Sequence, residues 1–304
     1  MGPRVTLLGR GAWGSTLEKL WSEQGLVVRS WSRRDGGNPT LLLKECDFVV
    51  VAVSMAAVRP LAASLAPCWP SGLPLLSCSK GIDLEGLCTA SQLWGQQLPQ
   101  APSAVLSGPN LADELQRNLP AASVIASHDA ALASQLQRQL RTPNLRLYTN
   151  ADPIGTETAG ALKNVMALAA GISDGLGLGA NARASLLCRG LAEIGVVLKA
   201  LGGQLSTLYG LAGLGDLLAT ATSSLSRNQR FGGLLAGGLS EQEALRSIGA
   251  TVEGPRTARA TLALARRQGL HLPICEQVVL LLEGGIDAQG AVRALMERDL
   301  RPEA

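Results

Sequence analysis

Near its start the chain runs a short β stretch, Arg4–Leu8, straight into Gly9-Arg10-Gly11-Ala12-Trp13-Gly14. A helical pattern follows, with Trp13, Leu17, Leu20 and Trp21 at i, i+4, i+7 and i+8, and ends at Gly25. Strand, G-x-G-x-x-G and helix in that order constrain the fold more than any other feature. Glycines there let the chain turn tightly and let the backbone approach a pyrophosphate seated on the helix N-terminus. A glycine-rich strand–helix turn with no ligand is the plainer alternative, and the rest of the chain must decide.

The next apolar run, residues 26–31, ends in Trp31-Ser32-Arg33-Arg34. A site for NAD would offer Asp or Glu here for the ribose 2′-hydroxyl, whereas two arginines suit a 2′-phosphate. This favours NADPH and leaves NADH possible; a basic surface loop is the alternative. Residues 47–53 (DFVVVAV) read as a strand buried on both faces of a parallel sheet. The fifteen residues between Trp31 and Asp47 leave room for one short crossover helix. Residues 73–78 form another strand that runs into Ser79-Lys80-Gly81, and 105–106 run into Ser107-Gly108-Pro109-Asn110. Both place small or polar residues where open α/β sheets bind ligands, at the carboxyl ends of strands. Ala121–Ala126 and residues 145–148 supply two more strands, and Asp152-Pro153 then offers an N-cap and a first helical residue.

Beyond Pro153 the pattern is helical throughout. Its centre is 157–171 (ETAGALKNVMALAAG), apolar almost all round, with Leu162, Val165, Met166 and Ala169 on one face. The adjacent face holds Gly160, Lys163, Asn164 and Ala167. Lysine is scarce, confined to positions 19, 44, 80, 163 and 199, and Lys163 has no charged neighbour between Glu157 and Asp174. A buried lysine has its pKa pushed down, which suits proton transfer; one that snorkels from a core helix is the alternative. A Gly-rich loop is expected over 171–181. A helix over 182–201 follows, capped by Asn181, closed by Gly202 and striped by Leu187, Leu191, Ile194, Leu198 and Leu201. Gly213-Leu214-Gly215-Asp216 reads as a turn, Ser226-Arg227-Asn228 as a polar helix start, and Pro255 and Pro273 as first-turn prolines. The expected architecture is α/β: a Rossmann-type dinucleotide-binding domain over residues 1–152, then an all-α substrate and catalytic domain over 153–304.

A net charge of +3 demands neither nucleic acid nor an acidic membrane. The six cysteines show no paired spacing and the two histidines no metal-ligand partner, so we expect reduced thiols, no metal and a cytoplasmic setting. The uncharged, apolar stretch 60–79 holds four prolines and is no membrane span. Two lysines in apolar surroundings, an aspartate, and Arg-Asn opening a helix remain. A helix N-terminus with an arginine makes an anion site, and an ammonium can donate the proton that accompanies hydride delivery to a carbonyl. These parts suit reduction of a phosphorylated ketone.

The run GALKNVMALAAGISDGLGLGANARASLLCRGLAEI, with GLAGLGDLLATATSSLSRNQRFG, VEGPRTA, GRGAWGSTL, SCSKGID and LSGPNLADE, resembles the NAD(P)-dependent glycerol-3-phosphate dehydrogenases over essentially the whole chain. The resemblance implies reduction of dihydroxyacetone phosphate to sn-glycerol 3-phosphate, a precursor of phospholipids. It implies that Lys163 donates and accepts the proton, with Asp216 and Thr220 beside it. Lys80, Gly108 and Asn110 would help hold the substrate, and Ser226, Arg227 and Asn228 its phosphate. Gly9, Gly11, Trp13, Gly14, Arg33, Arg34, Lys80, Ala112, Arg227 and Glu253 would face the cofactor. The chain departs from the family in a trimmed segment before Asp47, on the adenine side, and in Arg10, Ala221 and Pro255. A β-hydroxyacid dehydrogenase of similar plan and a non-catalytic NADP(H) sensor are the competing readings. The apolar helix faces of the second half lead us to expect a homodimer.

Overall fold

The computed structural model describes residues 2–299. Seven strands form one sheet: β1 (Arg4–Leu8), β2 (Val27–Trp31), β3 (Phe48–Val51), β4 (Leu75–Ser77), β5 (Ser103–Ser107), β6 (Ala121–Ala126) and β7 (Leu145–Asn150). Their spatial order is β2-β1-β3-β4-β5-β6-β7, parallel throughout except for the β5–β6 pair. Leu8 is in register with Trp31 on one side and Val51 on the other, so the first three strands end at one level. The chain's direction across the sheet reverses at β1, which is where such sheets open a crevice for ligands.

Five helices accompany the sheet: α1 (Ala12–Glu23), α2 (Met55–Leu65), α3 (Ala90–Gln97), α4 (Ala112–Gln116) and α5 (Ala130–Leu140). Leu17, Trp21, Leu132 and Leu136 of α1 and α5 bury one sheet face. Val58, Leu61, Leu65, Leu93 and Trp94 of α2 and α3 bury the other. This two-sided cover explains why Phe48–Val51 reads as an unbroken apolar run. The connection from β2 to β3 is a 3₁₀ turn, Pro39–Glu45, whose Asn38 cap accepts from Thr40 N at 3.0 Å. Such a short link adds no strand outside β2, so β2 is an edge of the sheet. The antiparallel return of β6 was not legible in the strand patterns. Five-residue α4, about 8 Å long, is too short to recross the sheet, so the chain folds back instead.

The second half is helical among the described residues: α6 (Pro153–Gly175), α7 (Gly179–Ala200), α8 (Leu205–Leu208), a π turn (Leu211–Gly215), α9 (Asp216–Ala221), α10 (Arg227–Ala236), α11 (Glu241–Ile248), α12 (Gly254–Gln268), α13 (Pro273–Leu282) and α14 (Ala288–Met296). Asp152 caps α6 through Gly155 N at 2.8 Å and ties it to α8 through Thr207 Oγ1 at 2.7 Å. α6 starts at Pro153 behind Asp152, as expected, but runs past Gly171 to Gly175, and α7 starts at Gly179 behind Leu178 rather than Asn181. The expected loop over 171–181 therefore shrinks to residues 176–178. The last turn of α6 is held from outside: Asp174 forms an ion pair with Arg183 Nε and accepts from Gln229 Nε2, both at 3.1 Å.

α6 is buried along nearly its whole length because other helices close on it from several sides. With α10 the approach is backbone to backbone. A Cβ on Gly171 would lie 1.9 Å from Gln229 O, and one on Gly232 would lie 2.0 Å from Leu168 O. Gly232→Ala must therefore push α10 away from α6. We expect a loss of about 1–3 kcal/mol of stability, the usual cost of overpacking, read as a lower denaturation midpoint in urea.

Candidate active site

The turn after β1 shows three separate uses of glycine. Gly9 has φ +109°, and a Cβ there would lie 2.4 Å from Ala52 O. A Cβ on Gly14 would lie 1.8 Å from Gly9 O, so α1 packs directly on the turn. At Gly11, the N-cap of α1, a Cβ would meet nothing within 4 Å. The cap has no side-chain hydrogen bond, so the first N–H groups of α1 face an open cradle. A tight turn, an open approach and a close helix contact, in that order, fit a dinucleotide pyrophosphate. Trp13 is half-buried and packs on the apolar cluster of the sheet face. Arg33 and Arg34 lie exposed in the turn after β2, and Ala112 opens α4.

Opposite this turn, α6 and α9 meet at a buried charge cluster. Asp216, the first residue of α9, is 1% exposed. Its Oδ1 accepts from Lys163 Nζ at 2.8 Å and its Oδ2 from Lys80 Nζ at 2.6 Å. Lys163 also donates to Thr220 Oγ1 at 2.6 Å, one turn further along α9, and Lys80 to Gly108 O at 3.1 Å. Strand end, central helix and short helix thus converge on one carboxylate. Burial pushes the Lys163 ammonium down, the Lys80 and Arg227 charges add to this, and Asp216 opposes it, leaving a pKa of about 8. Burial alone would raise the Asp216 carboxyl, but the two ammonium groups outweigh it and hold it below the usual range. The π turn before Asp216 replaces the simple turn expected there.

Ser226 caps α10, its Oγ accepting from Gln229 N at 3.2 Å, which leaves the hydroxyl its O–H to donate. Arg227 follows, exposed, with its charge felt at both Lys163 and Glu253. The Asn228 side chain is also engaged: Nδ2 donates to Asn164 Oδ1 and Oδ1 accepts from Gly254 N, both at 2.9 Å. It joins α6, α10 and the start of α12, which leaves its backbone N–H and one amide hydrogen for a ligand. Glu253, the N-cap residue of α12, accepts from Met55 N at 3.4 Å, and burial raises its carboxyl. Asn110 is half-buried; its Oδ1 accepts from Ser123 Oγ, and its Nδ2 has no partner.

Sequence reasoning missed two buried groups here. Asn164, the helix neighbour of Lys163, locks Asn228 in place. Glu157 caps α3 by accepting from Ser91 N at 3.0 Å, and burial pushes its carboxyl up to about 7. Its one sequence signal was a lone acid in an apolar helix, the feature that had drawn attention to Lys163. Among the described residues no cluster of His, Cys, Asp or Glu could hold a metal ion, and no helix is long and apolar enough to cross a membrane. All six cysteines are free.

A dinucleotide turn after β1 and a buried lysine–aspartate cluster reached from the ends of β4 and β5 of the same sheet define a nucleotide-dependent dehydrogenase. Residues 152–293 match the NAD-dependent glycerol-3-phosphate dehydrogenase C-terminus, and residues 37–133 match the N-terminus of the same family. A glycerol-3-phosphate dehydrogenase [NAD(P)+] of Synechococcus sp. (strain RCC307) is 54% identical over 303 residues, covering 100% of both chains. One of the same name from Synechocystis sp. (strain ATCC 27184 / PCC 6803 / Kazusa) is 46% identical over 99% of this chain and 95% of its own. The crystal structure of glycerol-3-phosphate dehydrogenase from Coxiella burnetii superposes with a TM-score of 0.94 at 34% identity, covering 98% of this chain and 99% of that one. The chain belongs to the NAD-dependent glycerol-3-phosphate dehydrogenase family.

Proposed function

We propose that this enzyme reduces dihydroxyacetone phosphate to sn-glycerol 3-phosphate, favours NADPH over NADH, and supplies glycerophospholipid synthesis from the cytoplasm. The observation that carries this is Lys163: a buried ammonium whose pKa is pushed down to about 8, aimed by Asp216 and Thr220. A bound nicotinamide supplies the hydride. Lys163 Nζ holds the proton that the carbonyl oxygen takes up as that carbon is reduced, and Asp216 keeps the ammonium in place. Lys80 stabilises the same oxygen, while Gly108 and Asn110 border the substrate. Arg227, with the free N–H groups of the first turn of α10, holds the phosphate. The glycine turn, Arg33 and Arg34 hold the cofactor phosphates, with Trp13, Ala112 and Glu253 along its path. Residues 1–152 then serve the cofactor, and 153–304 serve the substrate.

The direct test is loss of NADPH absorbance with dihydroxyacetone phosphate, run beside NADH and beside β-ketoacids. Turnover on β-ketoacids alone would sink the substrate assignment, and binding of NADPH without turnover on any ketone would favour a sensor. Arg227→Ala should raise KM for the phosphorylated ketone roughly 10- to 100-fold, the worth of a charge-assisted hydrogen bond. Glyceraldehyde, which lacks the phosphate, should be reduced equally by both proteins; an equal loss on it would remove Arg227 from the phosphate site.

We also propose a homodimer. A groove of about 1010 Å³ between α6, α7, α13 and α14, away from the lysine pair, has walls that include Ile172, Leu186, Val278 and Leu281. Val196 and Met296 stand exposed at it. Val196→Glu should shift sedimentation toward monomer; an unchanged mass would place the interface elsewhere.

A further inference from the structure

Arg10 occupies the position between the first two glycines, where the resemblance leads one to expect a small residue. Its guanidinium reaches two other elements. Nε lies 3.2 Å from Glu18 Oε2 on α1, and Nη1 lies 3.2 Å from Asp35 Oδ2 in the turn after β2. Each acid also accepts from a serine: Ser32 Oγ donates to the same Asp35 Oδ2 at 2.8 Å, and Ser30 Oγ donates to the other Glu18 oxygen, Oε1, at 2.7 Å. The same turn carries the exposed Arg33 and Arg34. In a dinucleotide fold this turn faces the adenine ribose, so a 2′-phosphate arriving here meets three guanidinium groups and, in the turn itself, one carboxylate, Asp35. That carboxylate is also the acid that would accept from a ribose 2′-hydroxyl.

We propose that the Arg10–Asp35 ion pair sets the choice between NADPH and NADH. Asp35 repels a 2′-phosphate and accepts from a 2′-hydroxyl. Arg10 neutralises that carboxylate in the free protein and turns its fork onto the phosphate when NADPH binds. The inference rests on the adenine-side reading of Arg33 and Arg34 given above. Stability alone does not account for the pair. Its side chains are 44% and 54% exposed, and pairs that open to water contribute little to folding. The geometry instead places a long planar cation, suited to bidentate phosphate contact, at the mouth of the cofactor cradle. Gly11 next to it leaves the approach clear.

The test is calorimetric binding of NADPH, NADH and adenosine 2′,5′-bisphosphate to the wild type, Arg10→Ala, Asp35→Asn and the double variant. Arg10→Ala should weaken NADPH and the bisphosphate about tenfold and leave NADH within about threefold, as loss of one charged hydrogen-bond fork requires. Asp35→Asn should tighten NADPH and weaken NADH. The double variant should bind NADPH more tightly than Arg10→Ala, because the carboxylate that Arg10 cancels is gone. Equal weakening of NADPH and NADH by Arg10→Ala would overturn the proposal, since a residue that only stiffens the turn acts on both. A double variant no better than Arg10→Ala would overturn it too. If the wild type binds both cofactors equally while Arg10→Ala still shifts the ratio toward NADH, the NADPH preference fails and the role of the pair stands.

Discussion

Lys163→Ala should lose on the order of 10²–10⁴ in turnover, the usual worth of a general acid, while NADPH affinity stays near the wild-type value. Lys163 lies on α6 and the glycine turn follows β1, so truncating the lysine leaves the cofactor cradle intact. The pH dependence carries the sign of the mechanism. Ketone reduction needs the protonated ammonium, so its rate should fall as pH rises through about 8, the value set by burial and by the Lys80 and Arg227 charges. Oxidation of glycerol 3-phosphate needs the neutral amine and should rise over the same range. Steady-state rates in both directions across that range, with cofactor affinity by fluorescence titration, check both points. A variant that keeps wild-type turnover would remove Lys163 from the reaction.

Asp216→Asn should do comparable damage to the fold. The carboxylate stands between two ammonium groups at 2.6 and 2.8 Å and is 1% exposed. Removing one partner of a buried ion pair costs about 3–5 kcal/mol, because the charge left behind has lost its water and its counter-ion. For a protein of this size that lowers the thermal midpoint by roughly 5–8 °C. It should also drive the Lys163 pKa further down, moving the acid limb of glycerol 3-phosphate oxidation to lower pH. Adding Lys80→Met to Asp216→Asn should recover part of the lost midpoint, since one stranded cation is then gone. No recovery would mean that Asp216 supports the fold by something other than charge.

These effects were legible to different degrees. The strand–glycine–helix order is local, and a few consecutive residues specify it, so β1, its turn and α1 could be read directly. Lys163 stood out because a lone cation in an apolar helix has few physical explanations. Its partners did not stand out in the same way: Asp216 is 53 residues away, and nothing in a local pattern says that two charges so far apart in sequence will meet. Asn228 was expected at the phosphate, but its side chain serves Asn164 and Gly254, partners 64 residues before it and 26 after. The turn from β5 into antiparallel β6 escaped because strand patterning fixes which residues are buried and not which way the strand runs. Bounds of α6 and α7 were short because glycine and serine in the last turn read as loop, whereas contacts from α7 and α10 keep them helical.

The π turn at Leu211–Gly215 makes the reaction depend on counting. Such a turn carries one residue more than an α-helix would need for the same length of axis, and it hands the chain on to α9 with Asp216 as first residue. An α-helix turns about 100° per residue. Deleting Leu214 would let the segment relax to ordinary helical winding and swing the carboxylate by about that angle, off both lysines, without altering any residue that touches them. Conservative substitutions at Leu211 or Leu214 leave that winding unchanged. The spacing between Gly210 and Asp216 is therefore fixed by phase, and in this segment length outweighs composition.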